Sequence, residues 1–478
     1  MRSDPAEPLT RPTAVFNRYL VALLPALILG SYVMLTRLGL FGLPVIVALW
    51  FALLPAVLSP LLSSLWRECL GVTYLFLTTA NADAIDAAVG NEGHRLAAAF
   101  LLLGLVYLAQ RWRDSVRALM HPLSLLFIAF VVQEVLSAFA FGEDAGIEIV
   151  TNRSALLVAF AVVVVLVRRP RGDVVVPAVI AMAAILSVPI MLQELSNPDE
   201  FHLSSSVLLG VARGGGLYSQ ANNAAIAFTF ALGYVFSIFL ARQMSRSAML
   251  VLVASVIAGI LCAASRAGMV TALAVIGLFW FYAQAHSIRR AVIITVIVGT
   301  MVAFVPHIID IIGSWLSALT NKMEDFGFHE LSRLSDVFDA LGGRTDTHAN
   351  SDLEMVRLPS IIQSIECGIE HPLFGVGTGN FVDDLGLGSH FELGEIFAEN
   401  GLSGLLLYLI LLVATIRSML RLATTTRQRA AIILLPWLCC HLHHHGMMEY
   451  RFLITPFALL CAFIAKAEAK QPTPGSAG

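Results

Sequence analysis

The sequence predicts an all-α fold: a polytopic membrane helix bundle of about 12–14 transmembrane helices, with a long helical loop outside the membrane before the last three spans. Three observations predict it. The 478 residues are 58% hydrophobic and 13% charged, with a mean hydropathy of +0.80. A soluble chain of this length would form about three domains and would carry about 25% charged residues; 30 basic and 33 acidic side chains fall far short of that. The apolar residues also gather into bilayer-length runs, and the basic residues gather on alternate sides of those runs.

A helix needs about 20 mainly apolar residues to cross roughly 30 Å of hydrocarbon. Cutting the chain where charge or turn residues interrupt such runs yields fourteen spans, near 19–35, 41–58, 61–80, 95–110, 121–141, 150–168, 174–194, 220–241, 248–264, 267–285, 290–309, 402–417, 429–446 and 450–466. The third holds Trp66, Arg67 and Glu68 and the fourth is short, so twelve or thirteen spans stay open. Residues 1–18 read as a polar tail, with no small-residue cleavage site after the first apolar run and hence no removable signal peptide. Residues 19–309 read as an N-terminal bundle, 310–401 as a large outer loop, 402–466 as C-terminal membrane helices and 467–478 as a second tail.

Lys and Arg near span ends stay on the cytoplasmic side. With the N terminus inside, 20 of the 30 basic residues fall on inner segments, among them Arg111, Arg113, Arg117, Arg168, Arg169 and Arg429, and 10 fall outside. Both tails are then cytoplasmic. A net charge of −3 without a basic domain or stripe argues against a nucleic-acid partner. The six cysteines show no C-x-x-C spacing, so neither a disulfide framework nor a cysteine zinc site is read.

The outer segment is the informative one, because connections longer than about 12–15 residues are usually functional. EMVRLPSIIQSIECGIE carries apolar residues at helical spacing, HPLFGVGTGNF is Gly-rich, and ELGEIFAENGLSGLLLYL runs into the twelfth span. These predict short helices lying on the outer membrane face and capping the bundle. Outer arginines oppose the positive-inside rule and invite a functional reading. Arg266, in LCAASRAGMV, is the sharpest: it is either an arginine snorkelling to lipid phosphates or a cation set at the bundle mouth for an anionic substrate. Arg213 stands in GVARGGGLYSQANNAA, where glycines meet a helix that Asn222 and Asn223 can cap; such a junction binds anions through free N–H groups or is an ordinary turn. His390 precedes Glu395 and Glu399, which are four apart on one helix face, so it can be a proton acceptor or a surface histidine beside an acidic face. In HLHHHG only His441 and His445 share a helix face as a metal pair would, and no metal site is assigned.

Taken together, four stretches resemble the bacterial O-antigen ligase and polymerase family of integral-membrane glycosyltransferases. GGGLYSQANNAA is similar to its G-x-F-x-N-P-N-x-x-A element and SRAGMV to its S-R-G-A element. EMVRLPSIIQSIECGIEHPLFGVGTGNF is similar to its arginine, amphipathic helix and P-L-F-G-x-G segment. HFELGEIFAENGLSGLL matches H-N-x-x-L-x-x-x-x-E-x-G-x-x-G at His390, Glu399, Gly401 and Gly404. The pattern departs at Phe391, Gly394 and Ile361, where the family has Asn, Leu and Trp, and these departures loosen the placement of the outer helices.

The resemblance implies transfer of glycan from undecaprenyl diphosphate on the periplasmic face of the inner membrane, with no cofactor and no metal. It casts Arg266 and Arg357 as diphosphate-binding arginines, with Arg344 in LGGRTD as an alternative second arginine, and His390 as the base that activates the acceptor hydroxyl. Arg213, Asn222, Glu395 and Glu399 are supporting residues. The implied partners are the lipid-linked glycan, an acceptor glycan (a lipid-linked repeat unit or lipid A core), membrane lipids and a chain-length regulator. The chemistry suits the residue types: the leaving group is an anion, and arginine stays protonated and binds phosphate oxygens bidentately. Polymerisation of O-antigen or exopolysaccharide repeat units is the preferred reading. Ligation of finished glycan to lipid A core is the nearest alternative, and a lipid-linked glycan flippase is the rival of another class.

Overall fold

The computed structural model describes residues 64–79, 93–141, 146–196, 215–218, 221–263, 265–283, 358–381, 391–441 and 451–469. Among these residues the secondary structure is helical throughout, in thirteen helices. They are α1 (Ser64–Thr79), α2 (Gly93–Gln110), α3 (Trp112–Leu119), α4 (Pro122–Phe141), α5 (Gly146–Arg168), α6 (Gly172–Ser196), α7 (Ala221–Leu240), α8 (Arg246–Cys262), α9 (Arg266–Ala283), α10 (Leu358–Glu370), α11 (Glu392–Leu420), α12 (Thr424–Cys440) and α13 (Arg451–Glu468). The fold is a polytopic helical membrane bundle. Five of these helices are long and apolar enough to cross a membrane: α4, α5, α6, α7 and α11.

Eleven of the fourteen spans read from the sequence fall on helices, and the first, second and eleventh lie outside the described residues. Two boundaries differ. Residues 112–119 form α3, a short amphipathic helix carrying Arg113, Asp114 and Arg117, where an inner loop was expected. The thirteenth span begins earlier and ends at Cys440, so Arg429 sits inside α12 and is buried rather than flanking it. The reason is a partner: Asp173 at the head of α6 accepts from Arg429 at 3.1 Å and from Lys466 at 2.8 Å.

α7 is the centre of the bundle. Every residue from Asn223 to Ile238 is buried, and the helix packs on α6, α8, α9 and α12. A helix apolar on all sides suits such a position. α7 and α9 run parallel in register: Ala225 meets Gly268, and eleven residues on in each helix Phe236 stacks on Phe279 with ring centroids 4.0 Å apart. A side chain at Gly268 would put its Cβ 2.8 Å from that of Ala225, so the glycine sets the closeness of the two helix heads.

The described basic residues sort between the bundle's two ends. Fourteen, from Arg67, Arg111, Arg113 and Arg117 through Arg429 and Lys466, lie towards the end where α4 begins and α11 finishes; Arg95, Arg153, Arg266 and Arg451 lie towards the other. That other end holds the heads of α5, α7, α9, α11 and α13, and it is where the sequence placed its candidate site.

Candidate active site

The local fold at this end is built around a break in α11. Gly401 adopts φ 61°, ψ −162°, and helical bonding stops there. The chain of residues 371–381 fills the break. Val376 N–H donates to the carbonyl of Ala398 and Gly377 N–H to that of Glu399, each at 2.9 Å; Leu402 N–H donates to the carbonyl of Pro372 at 2.7 Å. Approach this close requires glycine: a Cβ on Gly375 would lie 2.2 Å from the Glu399 carbonyl carbon, and one on Gly401 2.5 Å from Leu373 backbone. The P-L-F-G-x-G and E-x-G-x-x-G stretches are therefore two halves of one backbone lock.

Glu399 closes it. Its carboxylate accepts the Gly379 N–H at 2.8 Å, while its carbonyl also accepts from Ser137 Oγ of α4 at 3.2 Å. Beside it Thr378 Oγ1 lies 2.9 Å from Asn400 Oδ1 and 3.0 Å from the Glu134 carbonyl oxygen. Glu399 is thus engaged in holding the loop. Glu395, one turn earlier, is half-buried on the same helix side.

α10 packs on α11 with both helices pointing the same way. Ser364 faces Gly394 and Gly368 faces Phe397. The Gly394 departure from the family pattern has its physical reason here, since a Cβ would lie 2.4 Å from Ser364 Oγ. The heads of α10 and α11, Leu358 and Glu392, therefore lie on one side of the pair. In sequence they directly follow Arg357 and, two residues on, His390. Those two residues, with Arg213 and Arg344, lie outside the described residues.

The second feature is the paired heads of α7 and α9. Arg266 is the first residue of α9, with its side chain outside the description, and Ser265 caps the helix by accepting from Gly268 N–H at 3.3 Å. Helix N-termini carry partial positive charge, and two lie side by side here. Asn222, half-buried, and Asn223, fully buried, stand in the first turn of α7. Among the described residues, no group bonds either amide atom of Asn223. In the glycine loop before α7, read from the sequence as an anion site or an ordinary turn, two of the N–H groups are already taken. The N–H groups of Gly215 and Gly216 both donate to Glu194 Oε2 at 2.9 Å, so an internal carboxylate already takes those two donors.

Sequence reasoning missed Glu194 and one more group, and it named Asn223 only as a helix cap. Glu134, 2% exposed in the apolar run of α4, meets Arg153 of α5, 7% exposed, at 3.1 Å. A lone carboxylate in FIAFVVQEVLSAF was the available signal, since an ionisable residue inside a span needs a named partner.

Two further groups bear on chemistry. His441 Nδ1 donates to the Trp437 carbonyl at 2.6 Å, and its Nε2 contacts Tyr408 Oη. A carbonyl only accepts, so Nδ1 carries the proton and Nε2 takes the tyrosine hydroxyl; both ring nitrogens are engaged within the protein. No cluster of three metal-ligating side chains forms among the described residues. A shallow cleft of about 260 Å³ lies between α10 and the loop, lined by Gln363, Glu366, Glu370 and Asn380 among others. Burial pushes the Cys367 thiol there above its ordinary value, helped by the Glu370 and Glu399 carboxylates. An acidic cleft repels a diphosphate and suits neutral hydroxyls.

With this geometry in view, the comparison with known families is specific. Residues 251–409 match a family model described as O-antigen ligase. The match runs from α8 into α11 and takes in Arg266, Arg344, Arg357, His390, Glu395 and Glu399, while Arg213 and Asn222 precede it. No curated protein matches the chain significantly.

Proposed function

We propose, from the premise that this chain is a multi-pass membrane protein of the O-antigen ligase and polymerase family, that it transfers glycan from undecaprenyl diphosphate to a sugar hydroxyl at the periplasmic face. The observation that carries this reading is the pairing of the α7 and α9 heads, with Arg266 opening α9. Two helix dipoles and a guanidinium favour an anion at that point. The end opposite, rich in arginine, is then cytoplasmic by the positive-inside rule.

In the proposed step the acceptor O–H attacks the anomeric carbon as His390 takes its proton. The bond from that carbon to the diphosphate oxygen breaks, and the electron pair leaves with the oxygen. A glycosidic bond and free undecaprenyl diphosphate result. Arg266 and Arg357 meet the charge on the leaving group, with Arg344 as an alternative and Arg213 in support; general-base help is worth about 10²–10⁴-fold. The charge is met without a divalent metal. Single displacement inverts the anomeric centre.

Joining repeat units of O-antigen or exopolysaccharide is the preferred activity. Ligation to lipid A core is the second reading, favoured by the description of the matching family. Deleting the gene and examining envelope glycans separates them. Single repeat units on lipid A core identify a lost polymerase, long chains left on the carrier lipid identify a lost ligase, and an unchanged envelope overturns both.

A further inference from the structure

α10 has three faces. Ser360, Ser364 and Gly368 turn towards α11, and Gln363, Glu366 and Glu370 line the polar cleft. The third is apolar and open: Ile362, Ile365 and Ile369 follow i, i+3, i+7 spacing, and beyond the helix Leu373 and Phe374 extend them. Their exposure ranges from 40% at Ile365 to 65% at Leu373. Five large apolar side chains in one strip are not an ordinary water-facing surface.

Two rulers give the depth of this strip. From Leu402 to Leu420, α11 continues for a further 19 residues past its break, about 28 Å at roughly 1.5 Å per residue, which matches a hydrocarbon core of about 30 Å. Gly401 therefore marks the edge of the core, and Leu373 is tied there because its carbonyl accepts from Ser403 N–H at 3.3 Å. α4 gives the same level independently. It is 20 residues long, and Ser137, four residues from its end, lies 3.4 Å from the Phe374 carbonyl oxygen. On either side of this junction the exposed residues are Leu136 and Phe139 of α4 and Leu402 and Leu406 of α11, so the strip is continuous with the outward apolar faces of two membrane spans.

We propose that Ile362, Ile365, Ile369, Leu373 and Phe374 sit among the lipid acyl chains at the edge of the bilayer core, making α10 an interfacial helix anchored by the membrane as well as by α11. The polar face then lies at the waterline, as in amphipathic helices that rest in the headgroup boundary. The occupant is lipid because the strip adjoins lipid-facing spans at the depth where their hydrocarbon contact begins. This inference rests on the bundle and its depth, and not on the transferase reading.

The test places a nitroxide at position 365, 369 or 366, through a single cysteine in an otherwise cysteine-free full-length chain in liposomes. Collision with oxygen is compared with collision with a water-soluble nickel chelate. Labels at 365 and 369 are expected to favour oxygen several-fold more than the label at 366. Preference for nickel at 365 and 369 overturns the proposal, because the strip then faces water. Low collision with both reagents also overturns it, because a second copy or another segment of the chain then covers the strip. A second measurement keeps the native cysteines: Phe374→Trp in brominated-lipid vesicles is expected to lose more fluorescence than the parent chain, and equal quenching overturns the proposal.

Discussion

The carboxylate of Glu399 holds the N–H of Gly379 at 2.8 Å, and this one bond links the middle of α11 to the far end of the loop that fills its break. The same residue's carbonyl oxygen is shared by Gly377 N–H and Ser137 Oγ. α4, α11 and the loop thus meet on a single residue, beside the helix heads that follow Arg357 and His390 in sequence.

Glu399→Ala removes the acceptor of the Gly379 N–H, and because water can reach that exposed glycine the net loss is about 0.5–1.5 kcal/mol. Glu399→Gln retains a carbonyl oxygen at the same reach and loses only the charge. Thermal unfolding of the purified chain is expected to fall clearly for Ala and slightly for Gln, with transfer activity following the same order. Equal effects would show that charge, and not loop anchoring, is what Glu399 supplies.

Gly401→Ala puts a Cβ into Leu373 backbone at 2.5 Å on a residue with φ 61°. Left-handed backbone on a non-glycine residue costs about 1–3 kcal/mol before any clash is counted. Gly277 in α9 is the matched control, since a Cβ there meets nothing within 4 Å. Expression in the membrane fraction is expected to drop for Gly401→Ala and to hold for Gly277→Ala, where alanine also favours the helix.

Much of this was legible in the sequence, for identifiable reasons. Apolar runs gave α4 to α9 within a few residues because span length is set by the bilayer. The E-x-G-x-x-G and P-L-F-G-x-G stretches stood out, yet their pairing through backbone hydrogen bonds carries no periodic signal. Arg429 misled because its charge read as a loop residue, and partners distant in sequence explain its burial: Asp173, Ser237 and the Phe463 ring. The glycines at 215 and 216 looked like open donors for the same reason: Glu194, twenty-one residues earlier than Gly215, already fills them. Pairings between distant residues, Glu134 with Arg153 included, are what pattern alone does not reveal.

That last pair makes a sharp test of buried charge. Breaking one side of a buried ion pair typically costs about 3–5 kcal/mol, because the remaining charge is left uncompensated, whereas replacing both sides with apolar residues is often neutral. Arg153→Met and Glu134→Leu are each expected to destabilise the chain strongly, and the double variant to recover most of the loss. A double variant as unstable as the sum of the singles would mean that the two residues act separately.

The transferase reading makes a prediction that a flippase would not. Arg266→Lys keeps one positive charge at the head of α9 but gives up the planar fork that binds phosphate oxygens in pairs, so it is expected to lower turnover while leaving the fold intact. His390→Ala removes the proposed base, and transfer should fall by about 10²–10⁴-fold. Moving lipid-linked glycan across the membrane requires no base at its surface. Vesicles carrying His390→Ala should therefore lose polymer formation, while transbilayer movement of lipid-linked glycan, supplied by a separate flippase, continues unchanged. Normal polymer from that variant would remove His390 from the mechanism. Loss of movement together with polymer, on removing this chain alone, would move the protein into the transporter class.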